Sequence, residues 1–331
     1  MGRPPLIWED GVIDVCFDCL KDQFWPQTLD GLTLGAIYAL IALGYTLVYG
    51  VLRLINFAHS EVFMVGLFAS LFAMHAMDIH VADPTKTGFA LVGVILVAML
   101  AGMAASGLVA VAMERVAYRP LRKRGAPRLA ALITAIGMSL FLQELFAARY
   151  GRDQLPDYPR VLEKQELFEF QGANVRSDKV LVIVAALVLM VALERFVARS
   201  RLGRGIRATA QDPETATLMG VNIDRVVVLT FLLGGILAGA AGALYGVFFE
   251  AVQYNIGFLP GIKAFTAAVL GGIGNVRGAL LGGLLLGLLE NWGATLFGGE
   301  WKDVFAFTVL VLVLMFRPTG LLGESLGRAR A

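Results

Sequence analysis

Asn56, His59 and Glu61 sit close together in INFAHSEVFM (55–64), a stretch otherwise apolar enough to enter a bilayer. An amide, an imidazole and a carboxylate at that spacing can accept and donate hydrogen bonds and hold a charge. Left ionised at the bilayer centre, Glu61 would cost about 3 kcal/mol or more, so it must face a bundle interior, a pore or a partner. Two readings stand side by side. The group is a polar gate on a solute path, or a hydrogen-bond set that holds a broken helix together. Gln143, Glu144, Glu290 and Asn291 are further polar residues in apolar surroundings, and helix–helix hydrogen bonding is the simpler role for them.

Other chemistry is thin. GGIGN (271–275) has the glycines of a phosphate loop but no following Lys-Ser or Lys-Thr and no preceding strand, so it reads as a close helix crossing or a membrane turn. No HExxH, GxSxG or Cys/His cluster is present, and His59, His75 and His80 are scattered. The sequence therefore gives no catalytic, metal or cofactor site. Cys16 and Cys19 form one C-x-x-C pair with no second pair and no nearby His, and read as incidental thiols.

The most structured polar stretch is SRLGRGIRATAQDPETATLMGVNIDR (200–225). Arg201, Arg204 and Arg207 lead into a short helix whose ends are both written in the sequence. Asp212 suits the N-cap, Pro213 the first helical position, and Glu214 places negative charge at the positive helix end. Gly220 suits the left-handed residue that closes a helix. The helix between, residues 214–219, makes about two turns, too few to stand without a docking partner. It is either a plain loop between two spans or a knob that docks into another protein.

The elements that must position these residues follow from composition. The 331 residues are 57% hydrophobic and 16% charged, with a mean hydropathy of +0.72. A soluble domain of this size carries far more charge. The 38 glycines suit closely packed membrane helices, and a net charge of +2 does not point to nucleic acid. Spans are expected at 32–52, 55–77, 89–113, 129–148, 180–197, 226–249, 278–289 and 304–316, the last extended by RPTGLLG, with a half-helix at 262–274. The tight join at 53–55 implies a broken or re-entrant helix. The fold class is all-α: a polytopic membrane bundle of about 8–10 segments, some broken or re-entrant. Residues 1–30 read as an amphipathic segment on the membrane surface, with Ile7, Trp8, Val12, Val15 and Phe24 as its apolar side. Residues 31–323 are the membrane domain and 324–331 a short basic tail. The Arg- and Lys-rich segments 114–128 and 195–207 and the tail are expected to be cytoplasmic, with 149–179 and the N-terminus outside.

Over nearly its whole length the chain resembles the permease subunit of high-affinity branched-chain amino-acid ABC importers. The resemblance rests on GLTLGAIYALIALGYTLVYG (31–50), INFAHSEVFMVG (55–66), ERVAYRP (114–120), ALITAIGMSLFLQE (131–144), GRGIRATAQDPETATLMGVNIDRV (203–226), KAFTAAVLGGIGNVRGALLGGLLLGLLE (263–290) and RPTGLLG (317–323). Permeases for urea and short amides share part of this pattern. Ser60 stands where the family usually has Gly, as in FAHGE.

The resemblance implies that Arg207, Asp212, Pro213, Glu214, Ala216 and Gly220 belong to a segment pressed into a cleft of an ATPase subunit. It implies two ATPases that carry ATP and Mg, a second homologous permease and an external solute-binding protein, in a bacterial cytoplasmic membrane. Asn56, His59, Glu61, Glu144, Glu290 and Asn291 are then candidates for the solute path. The competing classes are a standalone secondary transporter with Glu61 as its proton or ion site, and a membrane-embedded enzyme using His59 and Glu61. The first lacks a visible repeat of whole domains; the second lacks a nucleophile and a metal set.

Overall fold

A computed structural model describes residues 16–323 apart from 82, 84, 87 and 154–157. The chain organises around α1 (Phe17–Leu52), a helix about 54 Å long at 1.5 Å per residue. From Gly31 on it is apolar on every side, as a surrounded helix must be, and from Gly31 to Val48 only Leu32 is not buried. The expected surface segment is therefore corrected in part. Residues 17–30 are the first turns of α1, continuous with the span through Pro26, while Ile7, Trp8, Val12 and Val15 lie outside the described residues. Cys16 and Cys19 are not free thiols but a disulfide at the start of α1.

After α1 the chain turns back as a non-helical segment, 54–58, and resumes as α2 (His59–Ala76). Then come α3 (Gly88–Met113), a π-helical turn Glu114–Tyr118, α4 (Arg119–Lys123) and α5 (Arg128–Tyr150). The basic stretch 114–128 is thus mostly helix rather than loop. A small antiparallel hairpin follows, β1 (Glu166–Phe170) and β2 (Ala173–Arg176), closed by Gln171 and Gly172, both at positive φ as a tight hairpin turn requires. Next are α6 (Ser177–Arg199), α7 (Arg201–Gln211), α8 (Pro213–Leu218) and α9 (Ile223–Phe249). The chain ends with α10 (Phe258–Gly271), α11 (Val276–Phe297) and α12 (Lys302–Phe316).

Among the described residues, seven helices are long and apolar enough to cross a membrane. The 14 residues of α10 and the 15 of α12 are too short to cross fully. Counting both as membrane segments gives nine, inside the expected range. Helices α3, α5 and α6 turn large apolar side chains outward, among them Leu100, Leu140 and Val188. Such faces belong in lipid: the chain is a multi-pass membrane protein. The last segment, 317–323, does not extend a span. It folds back, and the amides of Leu321 and Leu322 bond the last carbonyls of α10 at 2.8 and 2.9 Å.

Two seams fix the core. Gly31 and Gly35 of α1 face Gly287 and Gly283 of α11, backbone against backbone. Gly66 of α2, Gly102 of α3 and Gly239 of α9 meet at one point. Without a hydrophobic drive between helices in lipid, such close approach supplies the packing energy. The basic segments around α4 and α7–α8 lie at one end of the bundle, joined by Arg119 and Arg122 to Asp224 and by Arg53 to the Gln211 carbonyl. The hairpin and the 250–257 loop lie at the other end.

Replacing Gly66 by Leu would place a Cβ 2.7 Å from Ser106 Oγ and 2.9 Å from the Gly239 carbonyl oxygen. Backbone cannot step aside, so we expect a loss of about 3 kcal/mol, read as a lower midpoint in thermal unfolding of detergent-purified protein. Gly137→Leu, at a position with open space around it, should leave the midpoint unchanged.

Candidate translocation path and coupling helix

The re-entrant segment begins where Arg53 takes the left-handed conformation (φ +52°) and its N–H closes α1 on the Tyr49 carbonyl at 2.7 Å. Asn56 is buried and its side-chain oxygen accepts from the Tyr118 hydroxyl at 2.7 Å. The His59 amide bonds the Asn56 carbonyl at 3.1 Å, which starts α2 in mid-bundle. The His59 ring lies edge-on to Tyr45, centroids 4.8 Å apart, in space left by Gly44 and Gly234. Its Nε2 is buried without a partner.

Glu61 is fully buried. Its Oε1 accepts from Gln143 Nε2 at 2.8 Å, Ser60 Oγ at 3.1 Å and Ser139 Oγ at 3.2 Å. Its Oε2 has no partner and faces the Cα of Gly257, where a Cβ would lie 3.3 Å away. The carboxyl therefore sits where α2, α5 and the start of α10 meet. Next to Tyr45 lies an apolar cleft, too narrow for a water molecule, lined by Tyr49, Ile55, Phe265, Ala268 and Ile273. His59, a polar group short of a partner, thus adjoins an aromatic and aliphatic wall whose side chains would have to part to admit a solute.

A second polar cluster ties α1, α10, α11 and α12. Lys263 Nζ lies 2.8 Å from Glu290 Oε1 and 2.5 Å from Asp303 Oδ1. Lys302 and the Tyr38 hydroxyl reach the same Glu290 oxygen at 3.1 and 3.3 Å.

At the basic end, α8 has the geometry its sequence spells out. Asp212 Oδ1 accepts from the amides of Glu214 and Thr215 at 3.0 and 3.3 Å, Pro213 opens the helix, and Gly220 closes it at φ +83°. Ala216 is buried, and its carbonyl takes the Val221 amide at 3.0 Å. Leu218 and Met219 are 87% and 81% exposed at the tip. Two large apolar side chains are thus left bare beside a charged end of the bundle.

The family model for the permease component of branched-chain amino acid transport systems matches residues 27–314. The chain belongs to that family. The permease is 46% identical over 310 residues to the high-affinity branched-chain amino acid transport system permease protein BraD of Pseudomonas aeruginosa, covering 91% of this chain and 96% of that protein. It is 43% identical over 304 residues to the corresponding protein LivH of Escherichia coli K12, with the same coverage. The fructose import permease protein FrcC of Rhizobium meliloti matches at 31% over 158 residues, covering 45% of this chain and 43% of that protein.

The structure gathers the expected polar residues of the permease unevenly. Asn56, His59 and Glu61 form one group. Glu144 does not join it: its side chain is 62% exposed at the far end of α5, paired with Arg152 at 2.9 Å. Asn291 does not bridge helices either, because its amide bonds the Gly287 carbonyl of its own helix at 2.9 Å. Arg207 is engaged within the chain, holding the Val197 and Ala198 carbonyls that end α6. Ser60 lies in the first turn of α2 and is not among the positive-φ residues, so no glycine is needed there; its hydroxyl serves Glu61 and the Phe57 carbonyl. Tyr118, Ser139 and Lys263 were missed. Lys263 had a readable signal, a lone cation in an apolar half-helix; Ser139 and Tyr118 had none, since only the fold brings them to Glu61 and Asn56.

Gln143→Leu should cost about 2 kcal/mol, the scale of leaving a buried carboxyl oxygen short of a donor, and clearly less in a Glu61→Leu background; equal losses in both would mean that Gln143 does not act through Glu61. A second expectation concerns the α8 cap. The Thr215 hydroxyl, then the Thr215 amide, holds the Asp212 carboxyl below the ordinary carboxylate range. A folded-state pKa below the unfolded one stabilises above the unfolded value and loses that stability as pH falls through the folded value. Protection of the Glu214 and Thr215 amides, measured as exchange relative to free peptide at the same pH, should hold through neutral pH and fall only below that range, whereas Asp212→Ala should show little protection at any pH.

Proposed function

We propose that the chain is the membrane-spanning permease subunit of an ATP-driven importer that moves branched-chain amino acids inward across a bacterial cytoplasmic membrane by alternating access. The observation that carries this reading is α8: a capped two-turn helix outside the membrane region with Leu218 and Met219 bare at its tip, in a family of permease components. Two ATPase subunits, which bring ATP and Mg, receive this knob. A second homologous permease and an external solute-binding protein complete the assembly. The clustering of Arg and Lys at the α8 end supports a cytoplasmic location for it, which puts the start of α1 outside and the C-terminus inside.

Nucleotide binding draws the ATPases together and moves α8. Helices α7 and α9, which pack on α8, move with it. The solute carries an apolar side chain and a zwitterionic backbone. The cleft beside Tyr45 and Phe265 suits the former, and His59 and Glu61, each with a buried atom lacking a partner, suit the latter. A path must release what it admits, so recognition at high affinity belongs to the external receptor. Because the chain supplies only the path and the knob, no catalytic step is assigned to it.

Nothing lies within 4 Å of the Cβ position at Gly220; the demand there is conformational, not steric. Gly220→Val, which resists positive φ, should therefore uncouple more than Gly220→Asn, which tolerates it, with a strain of about 1–2 kcal/mol at that residue. The measurement is radiolabelled leucine uptake against ATP hydrolysis in proteoliposomes holding the assembled complex. Leu218→Ser with Met219→Ser should release the ATPases on purification. Uptake that survives in the doubly substituted chain without any ATPase would replace the importer reading with a standalone transporter.

A further inference from the structure

Helix α3 does not stop at the membrane edge. It continues as the π-helical turn Glu114–Tyr118, in which the Arg119 amide reaches back five residues to the Glu114 carbonyl. Pro120 gives the reason: it has no N–H for the Val116 carbonyl, its ring would collide with that group, and a wider turn avoids both. Such turns insert one residue, and they concentrate at working parts of proteins.

The turn faces two ways. On one side Glu114, fully buried, takes Arg122 Nη2 on its Oε1 at 3.1 Å. Arg122 also reaches Asp224 Oδ1 at 2.6 Å, and Arg119 reaches Asp224 Oδ2 at 3.2 Å. Asp224 stands in the first turn of α9, tied to α8 through the Val221 amide on the Ala216 carbonyl. On the other side the Tyr118 hydroxyl holds the side chain of Asn56, two residues into the bend that delivers His59 and Glu61. The turn and α4 together thus touch both pieces: Arg119 and Arg122 of α4 the one that carries the knob, and Tyr118 the one that carries the mid-bundle polar group.

The ionic side is under-bonded. Glu114 Oε2, Arg122 Nη1 and Arg119 Nε are buried atoms without partners, although the Arg119 and Asp224 side chains are 39% and 40% exposed. An ion cluster with spare donors and a spare acceptor can re-pair as its members shift. Pro120 keeps the turn from closing to an α turn, because its ring would then meet the Val116 carbonyl, so the turn moves by tilting as a unit.

We propose that this π turn is the transmission joint of the permease, with Arg122 and Tyr118 as its positioning residues. Displacement of α8 moves Asp224; Asp224 pulls Arg119 and Arg122; the turn tilts and carries Tyr118, and with it Asn56 and the entrance of α2. The inference rests on the coupling role of α8 given above.

The test uses the complete complex in proteoliposomes, reading leucine uptake and ATP hydrolysis together, and the distance between spin labels placed at Ile55 and Gly125 with and without ATP. Tyr118→Phe removes one hydroxyl and no packing. It should hydrolyse ATP at the parent rate with uptake per ATP lowered about fivefold, the scale of one lost hydrogen bond, and the label distance should no longer respond fully to ATP. Arg122→Lys, which keeps the charge, should retain most of the coupling. Deletion of Val116, a 73% exposed residue inside the turn, should freeze the label distance at one value. An unchanged ratio of uptake to hydrolysis in Tyr118→Phe, or an ATP response of the labels equal to that of the parent, overturns the joint while leaving the importer intact. Leucine uptake by the chain with no ATPase present overturns the coupling reading, and the joint with it.

Discussion

Backbone that is not helical has no water to bond with at membrane depth, so it survives only under a complete cover of protein. Residues 54–58 impose that constraint on this chain. Several of their polar groups are met within the chain: the Asn56 carbonyl by the His59 amide, the Phe57 carbonyl by the Ser60 amide and hydroxyl, and the Asn56 side chain by Tyr118. The cover requires helices close enough to shut out lipid. Gly44 and Gly234 bring α1 and α9 together around His59, and Gly257 and Gly261 press α10 onto Ser60. The glycine content, the central burial of α1 and the half-length of α10 are consequences of hiding one bend.

The distribution of charge follows from the same cover. Among the ion pairs, two clusters hold a fully buried glutamate, Lys263 with Glu290 and Asp303, and Arg119 and Arg122 with Glu114 and Asp224. A buried charge that keeps its counter-charge is tolerable, whereas one that loses it costs about 3–5 kcal/mol. Both clusters join separate helices, so each works as a clasp. Glu61 differs. Its donors are a glutamine and two serines, all neutral. A path for a zwitterion gains from that design, because a permanent salt bridge would compete with the solute for the same oxygen.

Much of this was readable in the residues. Helix α8 announces itself through Asp212, Pro213 and Gly220, since each cap residue acts locally and does not depend on the rest of the fold. The long apolar runs gave the spans for the same reason. Non-local features did not show. Residues 1–30 read as a separate surface segment, yet α1 runs on through Pro26, because Phe24 stacks on Trp292 and Thr28 receives the Trp292 N–H; packing on α11 outweighs the local cost. Residues 201–211 read as loop because Gly203 and Gly205 hide the helix, which is held by Ser200 at its start and by Arg207 on the end of α6. Glu144 and Glu61 are both acidic residues near apolar runs; only the fold decides that one meets Arg152 at the surface and the other is enclosed.

Rigidity is therefore graded in a way that bears on the proposed cycle. Where α1 meets α11, and where α2, α3 and α9 meet, backbone touches backbone. Dense contacts of that kind are bistable at best and do not slide by small amounts. Helix α5 is different: it turns Ala131, Ala135, Ser139, Leu142 and Ala147 inward and most of its large side chains to lipid. Its polar hold on the core is Glu61. Helix α10 is short and begins in mid-bundle against Ser60, but Gly271 and Ala267 meet α11 backbone to backbone, Lys263 clasps it to α11 and α12, and the 317–323 turn holds its far end. If the glycine seams form the frame, α5 is the element freest to shift. Its Gln143 and Ser139 hold Glu61, so the α5 flank of the hidden bend is the one whose packing permits opening.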